Sequence, residues 1–131
     1  MRLDTWYIAI ALLTLLVGES FGEWMARSHD HSIALVHTHL SVVGWVSFAL
    51  FGLIHRAYPS LAASKLALPQ FLLATASAIF LIGGLRVVWA TGDTFGAIVG
   101  AYGLILATAL FVWMFFQEIV FGVHQQAEQS S

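Results

Sequence analysis

Residues 66–90 read LALPQFLLATASAIFLIGGLRVVWA, a run of 25 residues whose one charged side chain is Arg86. At about 1.5 Å per residue, such a helix more than spans the ~30 Å hydrocarbon core of a bilayer. The apolar residues are continuous rather than alternating, so the run reads as a helix and not as a barrel strand. In lipid only helices and closed barrels satisfy their own backbone groups. Three more runs of this kind lie at 5–25, 32–54 and 95–121. The connectors 26–31, 55–65 and 91–94 are short and polar, with Tyr58-Pro59 and Thr91-Gly92-Asp93 as turn signals. The expected architecture is an all-α integral membrane four-helix bundle, one domain over residues 1–131 with a frayed polar tail at 124–131.

Composition points the same way. The chain is 60% hydrophobic and 9% charged, against roughly 45–50% and about 25% in soluble domains. That excludes a soluble globular protein, and equally a disordered one. A net charge of −2 with five Lys and Arg leaves no basic surface for nucleic acid. With no Cys, disulfides, thiolate metal sites, iron–sulfur clusters and cysteine-attached haem are excluded. The first run follows a weakly positive start, Met1-Arg2-Leu3-Asp4, and precedes no small-x-small cleavage site. It therefore reads as a span rather than a signal peptide. Arg2, Arg56 and Lys65 fall on one side and Arg27 and Arg86 on the other, which places both termini in the cytoplasm. Gly18-x-x-x-Gly22 and Gly96-x-x-x-Gly100 are patterns that let helix backbones approach closely.

Six His in so apolar a chain are its unusual feature. His37 and His39 lie inside the second run, where an ionisable residue is a functional-site hypothesis by default. Residues two apart on a helix project about 200° apart, so the two rings face opposite sides and cannot share one mononuclear metal within a chain. Each can serve a separate site as a neutral imidazole ligand to haem iron, copper or zinc. Gly44, Trp45 and Phe48 follow on the same run, with Gly44 on the His37 face, and suit an apolar slot for a macrocycle. Arg86 and Arg27 are the cations available to haem propionates. Glu19 and Glu23 sit four residues apart in the first run. Glu19 is the candidate to orient a His ring or relay a proton, and either Glu is a candidate ion-pair partner for Arg86. His29 and His31, with Asp30, offer a second metal position on the connector. Glu118 reads as interfacial, and His55 and His124 as solvated.

The segment Val36-His37-Thr38-His39-Leu40-Ser41-Val42-Val43-Gly44-Trp45, continuing to His55-Arg56-Ala57-Tyr58-Pro59, resembles the second helix of the catalytic subunits of haem–copper oxidases and nitric oxide reductases. The chain is similar to short stand-alone subunit I-like proteins carrying a His-x-His-Leu-x-x-x-Gly-Trp-Val run. The resemblance implies that His37 ligates haem, and that the bundle is one arc of a ring built from three such arcs. The His-x-His pair whose rings face different haems in that family matches His37 and His39. The copper-ligating His pair and the His–Tyr crosslink region are absent, so oxygen reduction is not carried over.

The expected function is therefore a membrane b-type haem protein for electron transfer or small-gas binding, with haem b, and copper as a second candidate cofactor. His37 of one copy and His39 of the next would ligate iron in a homotrimer, a twofold dimer being the rival. A redox protein or a quinone would be the partner, and a bacterial inner membrane the location. A small haem-dependent nitric oxide or oxygen reductase, a copper- or zinc-handling protein, and a cofactor-free helper of a larger complex remain the alternatives.

Overall fold

The computed structural model describes residues 2–122. Four helices are long and apolar enough to cross a membrane: α1 (Leu3–Ser28), α2 (Ala34–Ala57), α3 (Ala67–Thr91) and α4 (Phe95–Phe121). No strand occurs among the described residues. The tail at 124–131, with His124, lies outside them. The helix ends follow local chemistry. His29 and Gly92 take left-handed backbone conformations just past the ends of α1 and α3, the usual way to stop a helix. The Asp93 carboxylate accepts the Phe95 amide at 3.0 Å and opens α4. Helix α1 runs to Ser28, three residues past the end of its apolar run, where an Arg27–Glu23 pair one turn apart supports the added turn.

The bundle is apolar outside and carries its polar groups within. Leu13, Ile79, Phe95 and Tyr102 are all more than 60% exposed, an apolar surface that water would not tolerate. Asp4, His55, Gln70 and Ser77 are buried. Hydrocarbon gives apolar helices little reason to associate, so packing must come from close approach and hydrogen bonds. Both are present. Helices α3 and α4 cross with their backbones nearly touching: a Cβ on Gly84 would fall on the Ala97 backbone, and one on Gly100 on that of Leu81. The Tyr7 hydroxyl of α1 donates to Gln70 Oε1 of α3, and Gln70 Nε2 donates to the Ala107 carbonyl of α4 at 3.3 Å.

His55 overturns its expectation of solvation. It is fully buried, stacked on Tyr7 at 5.4 Å between ring centroids and 5.3 Å from Phe111. Position near a helix end suggested the surface, but the aromatic side chains of α1 and α4 close over it. Beside it the buried Asp4 carboxylate is held by Arg56 at 2.9 Å and Arg2 at 3.2 Å.

Two stretches are wound more widely than an α-helix, Leu40–Ser47 in α2 and Phe116–Phe121 in α4. Such π segments are rare and cluster at functional sites.

Gln70→Leu should lower stability in detergent by about 1 kcal/mol, the scale of an interhelical membrane hydrogen bond. Gly84→Leu should cost more, because the obstructing atoms are backbone. Thermal unfolding followed by circular dichroism orders the two; equal losses would refute the backbone-contact argument.

Candidate functional site around His37

Helix α2 begins at Ala34, so His37 lies within its first turn, about 4.5 Å inside the span. Its half-buried ring packs against α1 where Gly18 and Gly22 leave room: a Cβ on Gly22 would sit 3.0 Å from His37 Cε1. Nδ1 lies 2.8 Å from the Gly18 carbonyl. A carbonyl only accepts, so Nδ1 carries the proton and Nε2 keeps its lone pair. That is the tautomer of a metal-ligating His whose ring is oriented by a backbone acceptor. The Gly18 carbonyl thus fills the orienting role expected of Glu19, whose side chain is exposed one residue further on.

His39 takes a different partner. Its Nδ1 donates to the Leu35 carbonyl of its own helix at 2.9 Å, again leaving Nε2 with a lone pair. Residues 34–39 are α-helical, so the opposed directions argued from spacing apply to this pair.

The slot residues Gly44, Trp45 and Phe48 pack against neighbouring helices. Gly44 does share the His37 face, but that face is covered by α1: a Cβ there would meet Thr14 Cβ at 2.8 Å. Phe48 is fully buried and edge-on to Tyr7 at 5.5 Å, and Trp45 is half-buried against the core. Gly44 and Phe48 also border an apolar cavity of about 450 Å³ between α1, α2 and α3. Arg27 is engaged by Glu23. Arg86 is exposed with its guanidinium 4.9 Å over the Trp89 ring, and no ion pair joins it to Glu19 or Glu23. On the connector, His29, Asp30 and His31 are exposed. The Asp30 carboxylate accepts the Ser32 amide at 2.8 Å, which holds its pKa below the ordinary value. No group of three His, Cys, Asp or Glu positioned to hold a metal occurs among the described residues.

The buried cluster of Asp4, Tyr7, His55 and Gln70 was not found in the sequence. For Gln70 the signal was present: an amide inside an otherwise apolar run needs partners. His55 repeats the pattern of the other two rings. Nδ1 donates to the Phe51 carbonyl at 2.8 Å, and Nε2 has no partner among the described residues.

Comparison with protein-family models, curated proteins and solved structures gives no match.

Nitrogen NMR of ¹⁵N-His-labelled protein should show His37 protonated at Nδ1. Gly22→Val places a branched side chain where the ring lies and should abolish that preference. An unchanged His37 signal in the variant would remove the Gly18–Gly22 cradle from the argument.

Proposed function

We propose that the protein is a membrane b-type haem protein for electron transfer or small-gas binding. His37 and His39 are its axial ligands, and each haem is shared between neighbouring copies of a homotrimer. One observation carries this reading: the His37 ring, held inside a membrane span by Gly18 and Gly22, donates Nδ1–H to a backbone carbonyl and keeps Nε2 as a lone-pair donor. The donor set fits haem better than a closed zinc or copper centre. Such a centre takes three or four protein ligands, whereas haem needs one or two axial donors. The two rings diverge around one helix, so six-coordinate iron draws its second imidazole from another copy. In a cyclic assembly each interface then offers His37 from one chain and His39 from the next. Arg27, at the end of the helix that holds the His37 ring, is paired with Glu23 and would serve a propionate only by releasing that carboxylate. When bound, haem supplies a one-electron iron couple and, if one axial position opens, a site for a small gas.

The absorption spectrum of the purified protein tests the proposal. A Soret band with sharp reduced α and β bands is expected, and His37→Ala should strip haem or convert it to high spin. A variant that keeps the wild-type low-spin spectrum would remove His37 as a ligand. A broad high-spin spectrum that shifts with carbon monoxide would replace electron transfer by gas binding. Native mass spectrometry in mild detergent should give a trimer with three haems, one per chain; a haem-loaded monomer would overturn the shared site.

A further inference from the structure

The cavity between α1, α2 and α3 belongs to neither His37 nor His39. Its walls are Ile10 and Thr14 of α1, Leu40, Gly44 and Phe48 of α2, and a stripe of α3 from Thr75 to Gly83. No wall residue is His, Met, Tyr, Lys or Cys, so nothing in it can ligate haem iron. The groove is open along α3, where Ile79 and Gly83 are exposed. The α3 stripe gives it a length of about 12 Å along the helix. Of its two hydroxyls, that of Thr14 is bonded to the Ile10 and Ala11 carbonyls, and that of Thr75 is buried with no partner among the described residues.

The α3 wall continues beyond the cavity. Thr75, Ile79, Ile82 and Arg86 recur at spacings of four, three and four, which is one face of a helix. Arg86 thus stands one turn past Gly83, above the mouth of the groove. Of the three arginines within the spanning helices, Arg27 and Arg56 are paired with carboxylates. Arg86 has none within salt-bridge distance among the described residues. Its guanidinium lies over Trp89, a residue type that favours the membrane–water interface.

We propose that this groove binds one acyl chain of an anionic phospholipid whose phosphate pairs with Arg86. A stripe of apolar wall ending in an unpaired cation at the interface matches that molecule in polarity, direction and charge. This assignment takes Arg86 away from the propionate role suggested by the sequence, and it stands independently of haem.

The full chain, reconstituted in nanodiscs of equal phosphatidylglycerol and phosphatidylcholine, is released into mild detergent and its retained lipids are counted by native mass spectrometry. One phosphatidylglycerol per chain is expected, with roughly fivefold preference for the anionic lipid, the scale of one basic residue at a membrane surface. Arg86→Gln, at an exposed position, should bring the preference close to parity. Gly83→Leu should exclude both lipids while leaving the helical spectrum unchanged, because a Cβ at Gly83 meets nothing within 4 Å. Equal retention of the two lipids by the wild type, an undiminished preference in Arg86→Gln, or full retention in Gly83→Leu would each overturn the proposal. So would dissociation of an oligomer by Gly83→Leu, which would give the groove to a second copy.

Discussion

Gln70 is the point from which the rest of the bundle is hung. It is fully buried, and an amide in that position is costly unless both of its ends are used. Both are: the oxygen takes the Tyr7 hydroxyl from α1, and the nitrogen gives to the Ala107 carbonyl of α4. One side chain thereby ties three helices. The fourth, α2, joins through the stack of His55 on Tyr7 and the pairing of Arg56 with Asp4. Apolar contact contributes little net attraction between helices surrounded by lipid. The hairpin of α1 and α2 is therefore joined to that of α3 and α4 by polar and aromatic contacts at this end.

From that anchored end α2 runs toward His37 along α1. Gly52 meets Asp4, Tyr7 and Ile8, Gly44 meets Thr14, and His37 meets Gly22. These contacts are spaced seven and eight residues apart, and the more widely wound stretch Leu40–Ser47 lies among them. The Ser47 hydroxyl, bonded to the Val42 carbonyl five residues back at 2.9 Å, supports the widened turn.

The parts of this arrangement written in residue type were legible in the sequence. Four long apolar runs became four helices, and the small-residue pairs of 18–22 and 96–100 became close contacts. His37 and His39 stood out by depth. The partners were harder to read. An acid such as Glu19 advertises itself, whereas the group that orients His37 is a backbone carbonyl, which every residue has. His55 was misplaced for a related reason: its distance from the helix end says surface, and only the convergence of Tyr7 and Phe111 from two other helices says interior. Gly44 makes the same point, since periodicity names its face but not the helix, α1, that lies against it.

Three imidazoles of α2 share one device, Nδ1–H given to a backbone carbonyl, so the local chemistry of their Nε2 atoms is the same. What separates them is enclosure. His55 is sealed between Tyr7 and Phe111 and is fully buried, while His37 and His39 retain partial exposure at the opposite end of the helix. A lone pair that a ligand cannot reach serves packing, whatever its basicity. A lone pair at the margin of the bundle is open to a group arriving from the membrane or from a neighbouring chain. Access, rather than the hydrogen bond that sets the tautomer, divides α2 into a structural end and a candidate binding end.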